Sequence, residues 1–184
     1  MGYLEESPRR AVFFDRDGIV NVSPGAGYVT RPEDLQIMPG FPDVLQLVKE
    51  RGYLAVVVSN QRCVAAGIID LAMLSQIHDR LQRDLQVGWS VGFDDILFCP
   101  HDRDENCDCR KPRPGMLLMA AEKYAIDLGA SWMAGDQPRD IEAGRAAGCR
   151  TVFVGNAAGF NEAGADFHAA GMPELLTICD KQLI

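Results

Sequence analysis

The sequence contains no apolar run of about 18 residues, the length a helix needs to cross a bilayer, so no membrane span is expected. It has no basic excess either: 18 Lys and Arg stand against 26 Asp and Glu, a net charge of -8. So acidic a chain cannot neutralise a phosphate backbone along its length, which argues against general nucleic-acid binding. A single phosphorylated metabolite stays open, because one metal ion and a few cations can gather locally. Met1 to Arg10 is polar and mixed in charge, without the apolar centre of a signal peptide. Gly2 lacks the following Ser or Thr that myristoylation needs. A cytoplasmic location is expected, and there the 6 cysteines should not form a disulfide framework. Internal repeats, low-complexity segments and linkers are missing too. The 184 residues suit one domain, 1–184, with a sizeable core, and a monomer is the expectation.

What is present begins with Phe13-Phe14-Asp15-Arg16-Asp17-Gly18. The apolar run Ala11 to Phe14 reads as a short buried strand of a parallel sheet. Two acids, one residue apart, then fall where that strand leaves the sheet, the edge at which open α/β sheets bind ligands. Held together there, two carboxylates repel unless a cation or a shared proton lies between them. Gly18 lets the backbone turn sharply. The small-residue loop from Ile19 to Thr30 sits beside the acids and is a candidate pocket wall.

Further along, Phe41, Val44, Leu45 and Val48 keep helical spacing, with Gly52 as the stop. A second buried strand, Tyr53 to Val58, ends in Ser59-Asn60-Gln61, groups that can donate to an anion and are also a common cap. Asp70 opens a helix to about Gln86, with His78 packed on or beside its apolar face. Strands follow at Asp95 to Phe98, Trp132 to Ala134 and Thr151 to Val154. Helices follow at about Met116 to Tyr124, from Pro138 to Gly148, and over Pro173 to Cys179. Between Gly155 and Pro173 the chain is Gly/Ala-rich and no motif stands out. The alternation predicts an α/β, doubly wound parallel sheet with helices on both faces. Irregular stretches of about a dozen residues leave no room for a large cap domain.

Two constellations carry the chemistry. Cys99, His101, Cys107 and Cys109 form a set that zinc takes as a closed tetrahedron. A redox disulfide is the rival reading. Zinc here would clip a loop with little core of its own and fix where Arg110 and Lys111 point. Cys63, Cys149 and Cys179 read as small apolar residues. The second set is spread over strand ends: Asp15 and Asp17, Ser59, Lys111, and Asp136 with Asp140. These types suit phosphoryl transfer. A carboxylate can attack phosphorus, and a second can protonate the leaving oxygen and later take a proton from water. Hard oxygen ligands can hold Mg2+. Lys111 and Ser59 can stabilise the phosphoryl oxygens.

Asp15-Arg16-Asp17-Gly18, Ser59, Lys111 and Gly135-Asp136 with Asp140 resemble the four motifs of the haloacid dehalogenase (HAD) superfamily. Within it, Ser59-Asn60-Gln61, Cys99-Pro100-His101, Cys107-x-Cys109-Arg110-Lys111-Pro112 and Pro114-Gly115-Met116 resemble the heptose-1,7-bisphosphate 7-phosphatases. Histidinol-phosphate phosphatases share much of the pattern. The resemblance spans about Val12 to Gly155 and implies a Rossmannoid HAD-like sheet, no large cap and a zinc-clipped loop. It implies Asp15 as nucleophile and Asp17 as general acid/base. Mg2+ would be bound by Asp15, the Asp17 main-chain carbonyl and Asp136. Ser59 and Lys111 would hold the transferring group. Arg110 would meet the substrate, a small phosphorylated sugar of surface-glycan heptose synthesis, and Asn60, Gln61, Arg62 and Lys111 are further candidates to contact it.

The chain departs from that pattern along the expected substrate wall. Arg62-Cys63 stand where the family usually has Ser-Gly, and Ala66 stands in place of an Arg. Pro24-Gly25-Ala26 lengthens the turn before Gly27-Tyr28, and the spacer 102–106 is short. A signalling receiver domain also gathers acids, a hydroxyl and a Lys at strand ends. It would want its acceptor Asp after the third strand, where this chain has Cys99.

Overall fold

The computed structural model describes residues 8–184. Six strands form one parallel sheet: β1 (Ala11–Phe14), β2 (Leu54–Asn60), β3 (Asp95–Cys99), β4 (Trp132–Gly135), β5 (Arg150–Val154) and β6 (Phe167–Ala169). Their order across the sheet is β3-β2-β1-β4-β5-β6. The chain therefore builds outward from β1 on one side, then returns to β1 and builds outward on the other. β1 lies between β2 and β4, with Phe14 opposite Val57 and Ala134. The strand ends after Phe14, Asn60 and Gly135 accordingly meet at the middle of one sheet edge.

Among the described residues six helices cover the faces: α1 (Phe41–Glu50), α2 (Leu71–Trp89), α3 (Gly115–Tyr124), α4 (Pro138–Ala147), α5 (Ala157–Ala163) and α6 (Met172–Gln182). Side chains alternate along β1, so its two inward sets feed different cores. Val12 and Phe14 join α1, α2 and α6 on one face, while Ala11 and Phe13 join α3 and α4 on the other. Phe14 and Phe41 meet edge to face with ring centroids 5.2 Å apart. The doubly wound expectation holds.

The structure differs from the sequence reading in three places. The Gly/Ala-rich stretch forms α5 and the edge strand β6. β2 continues through Ser59 and Asn60, which pair with Phe98 and Cys99 of β3. The irregular stretches are longer than a dozen residues: 15–40 carries only one 3-10 turn, Pro32–Asp34, and 100–114 carries no helix or strand. Neither folds into a cap over the strand ends. No helix among the described residues is long and apolar enough to cross a membrane.

Candidate active site

Asp15 follows β1 directly and its backbone N–H donates to the Ala134 carbonyl at 3.0 Å, so the sheet itself places it. Lys111 reaches in from the loop after β3. Its Nζ lies 2.6 Å from Asp15 Oδ1, 2.7 Å from Asp140 Oδ1 and 2.7 Å from the Val58 carbonyl. The Asp140 contact is an ion pair, not aligned as a hydrogen bond. Asp140 sits in the first turn of α4, and its other oxygen accepts the Gln137 N–H at 3.1 Å. Lys111 is buried, yet the two carboxylates hold its charge: burial opposes it, and Asp140 and Asp15 outweigh that.

Around this pair the acids are crowded. Carboxylate oxygens of Asp15, Asp136 and Asp140 all lie within 4.8 Å of one another. Burial, partly countered by Lys111, pushes Asp15 up to about 7. Burial and the neighbouring Asp140 push Asp136 up to about 6. Asp136 Oδ1 is buried without a hydrogen-bond partner. Gly18, at φ +103°, makes room for this group, since a Cβ there would stand 2.2 Å from Asp136 Oδ2. An orphaned oxygen among clustered hard carboxylates fits a divalent cation such as Mg2+, with Asp15 and Asp136 as ligands and Asp140 committed to Lys111.

A pH dependence follows. With both carboxyls above their ordinary 3.8, the folded chain holds more protons than the unfolded chain between about pH 4 and 7. Their contribution to stability is present at low pH and is lost as pH rises through 6 to 7. A bound cation removes that loss by pairing the ionised forms. Mg2+ is therefore expected to raise Tm more at about pH 7.5 than at about pH 5.5. Equal gains in calorimetry at both pH values would take these carboxylates out of the metal site.

The Asp17 side chain stands apart from that cluster. Arg16, fully buried, forks onto it: Nε to Oδ1 at 3.2 Å, Nη2 to Oδ1 at 3.1 Å and to Oδ2 at 3.0 Å. Asn21 Nδ2 donates to Oδ1 at 3.0 Å and Gln61 Nε2 to Oδ2 at 3.1 Å. Gln61 also donates to Ser59 Oγ at 2.7 Å. Gln61 is thus buried behind the site, holding Asp17 and Ser59, and is not among the residues facing the cavity. Asn60 faces the cavity but is occupied with Lys111: its Oδ1 accepts the Lys111 N–H and its Nδ2 donates to the Lys111 carbonyl, both at 3.0 Å.

The cavity above these groups measures about 310 Å³, with Asp15, Asp17, Ser59 and Asp136 on its floor. The 23–28 loop forms one side, as the sequence suggested. Arg62, Arg103, Arg110 and Arg139 complete the wall with Asn60 and Gln137, so a chain of net charge -8 presents a basic mouth over an acidic floor. Arg62 pairs with Asp102 at 2.7 Å, tying the loop after β2 to the loop after β3. Arg110 donates to the His101 carbonyl at 3.1 Å. A second cavity of about 430 Å³ adjoins and shares Arg103, Arg110 and Arg139.

Cys99, His101, Cys107 and Cys109 come together in that second loop. Cys99 and Cys109 each lie 3.5 Å from Cys107, and His101 Nδ1 is 3.6 Å from Cys99 Sγ and 3.2 Å from Cys109 Sγ. Sulfurs so spaced are too far apart for a disulfide and suit neighbours around one tetrahedral ion. All three thiols are free.

The model of the HAD-hydrolase-like family matches residues 108–175. The D-glycero-beta-D-manno-heptose-1,7-bisphosphate 7-phosphatase of Pseudomonas aeruginosa is 37% identical over 147 residues, 79% of this chain and 81% of that protein. Its namesake in Bordetella bronchiseptica is 34% identical over 172 residues, 93% of this chain and 92% of that protein. This chain belongs to the heptose-1,7-bisphosphate 7-phosphatase family. The crystal structure of a D,D-heptose 1,7-bisphosphate phosphatase from B. bronchiseptica, complexed with magnesium and phosphate, matches it with a TM-score of 0.84. That match has 31% sequence identity and covers 95% of this chain and 98% of the other. The sequence pattern assigns no role to three groups at this site: the Arg16 fork, its His78 neighbour, and Asn21. An arginine between two acids was the available signal, since its charge offsets their repulsion.

Proposed function

We propose that this chain is a Mg2+-dependent phosphatase that removes the 7-phosphate of D-glycero-beta-D-manno-heptose 1,7-bisphosphate. The observation that carries the chemistry is the Lys111–Asp15 pair at the floor of a basic-walled cavity, with Asp17 beside it. The names of the relatives support the substrate. One domain spanning the chain suffices for it.

Asp15 attacks phosphorus, and the bond from phosphorus to the sugar oxygen breaks. Asp17 enters this step protonated and gives that proton to the departing oxygen. Water then attacks the aspartyl phosphate, loses its proton to Asp17, and releases phosphate with Asp15 restored. Lys111 and Ser59 stabilise the phosphoryl oxygens. Asp15, the Asp17 carbonyl and Asp136 would hold Mg2+, which supplies charge neutralisation when bound. Arg62 and Arg110 meet the leaving group, while Asn60 and Gln61 serve by holding Lys111 and Asp17. This chemistry is very slow unaided, with enzymes accelerating it by up to ~10²¹-fold. General acid catalysis contributes only about 10²–10⁴ of that, so nucleophile, cations and metal must act together.

Zinc in the Cys99, His101, Cys107 and Cys109 set would be structural, since four protein ligands leave no open position. Removing it, as verified by metal analysis, is expected to make 100–110 sensitive to proteolysis and to weaken activity through Arg110. Full activity in zinc-free protein would sever that link. The reading as a whole is tested by phosphate release, with Mg2+, from both anomers of heptose 1,7-bisphosphate and from histidinol phosphate. Preference for the beta anomer is expected. Preference for histidinol phosphate would keep the catalytic roles and overturn the substrate.

A further inference from the structure

Arg16 is the largest fully buried side chain of the described residues. A guanidinium out of water needs its donors matched, because each unmatched donor costs its full desolvation. Nε and Nη2 are spent on Asp17. Nη1 points the other way, to His78 Nε2 on α2, at 3.3 Å. Arginine can only donate, so His78 must accept through Nε2 and carry its proton on Nδ1. The imidazole is buried, and the ring of Phe98 packs on it with centroids 5.5 Å apart. Burial and the Arg16 charge hold His78 at about 4, so it stays a neutral acceptor through the physiological range.

We propose that His78 is a positioning residue for the general acid: it fixes the Arg16 guanidinium from behind, and Arg16 in turn fixes both oxygens of Asp17. The inference rests on the acid/base role given to Asp17 above. The fork is planar and rigid, so its orientation is transmitted to the carboxyl group. Asn21 and Gln61 each hold one oxygen of Asp17, whereas Arg16 spans both. Of the contacts to the guanidinium, the one to His78 comes from across the core, from an element that touches neither substrate nor metal. Without that acceptor the guanidinium has a buried donor unpaired and loses its anchor on the far side, so its plane can tilt and take the Asp17 carboxyl out of line.

The test exploits the leaving group. An alkoxide from a sugar needs a proton as it departs, whereas p-nitrophenolate leaves without one. Loss of acid geometry therefore lowers kcat/KM for the sugar phosphate more than for p-nitrophenyl phosphate. The ratio of the two is independent of how much protein is folded. It would be measured with Mg2+ for the wild type, Asp17→Asn, His78→Leu and His78→Gln. Heptose 1,7-bisphosphate would be the alkyl substrate, or histidinol phosphate where that is the better one. Asp17→Asn is expected to lower the ratio by about 10²-fold or more. His78→Leu should lower it about 10-fold or more, the scale of a misplaced catalytic group, and His78→Gln, which keeps an acceptor, should recover most of that. A ratio unchanged in His78→Leu, or a Gln variant as poor as Leu, overturns the inference. An unchanged ratio in Asp17→Asn overturns the acid reading itself.

Discussion

Asp15→Asn is expected to cut phosphate release by on the order of 10⁵-fold or more while leaving the chain folded, as loss of a covalent nucleophile does elsewhere. The amide has no anionic oxygen to form the phosphoryl bond. Nothing nearby substitutes for it. The Ser59 hydroxyl is buried and accepts from Gln61, Asp17 is held by Arg16, Asp140 is paired with Lys111, and Asp136 would be committed to Mg2+. The fold should survive because the volume is the same and Lys111 keeps Asp140 as its counter-charge. Asp15→Glu keeps the charge but displaces it by a methylene, which should still cost about 10²-fold. Turnover of Asp15→Asn within tenfold of wild type, in protein shown free of wild-type enzyme and of deamidation, would place the nucleophile elsewhere.

Lys111→Met should have the largest effect on stability. It leaves Asp15 and Asp140 buried without their cation, a loss worth about 3–5 kcal/mol for one partner of a buried pair. In a chain of this size that corresponds to a fall in Tm of roughly 6–20 °C. The loss has a pH signature. Asp15 already sits near 7 through burial, so below that pH it can take a proton and shed the uncompensated charge. The destabilisation should therefore be larger at about pH 8 than at about pH 6. Adding Asp15→Asn should recover part of it, because one of the stranded charges is then gone. Thermal melts of the two single variants and the double variant decide this. Equal losses at both pH values would mean that Lys111 acts through packing alone.

The sequence made the frame of this molecule legible where burial left a strong pattern. β1 shows as four apolar residues and β2 as a longer run, and α1 keeps its helical spacing. β6 was not legible because it has three residues, lies at the edge and is only partly buried, so neither alternation nor an apolar run marks it. α5 has seven residues, too few to show a period. At the site, the groups on strand ends could be read because the sheet alone brings them together. Those that act sideways could not. Nothing in the spacing tells that Lys111 bridges Asp15 to Asp140, or that Gln61 turns inward to Asp17. The sequence reads His78 as an ordinary packed residue, because its contact with Arg16 joins α2 to the loop after β1 across 62 residues and leaves no local pattern.

The Asn60 clamp bears on where the sequence can vary. The segment 100–110 is anchored at both ends: Cys99 is the last residue of β3, and Lys111 is stitched to Asn60 through its own N–H and carbonyl. Arg103 and Arg110 lie on the span between those anchors, whereas Lys111 belongs to the frame with Asp15. Substitutions along the span can therefore reshape the wall that meets a sugar without unseating the ammonium beside the attacking carboxylate.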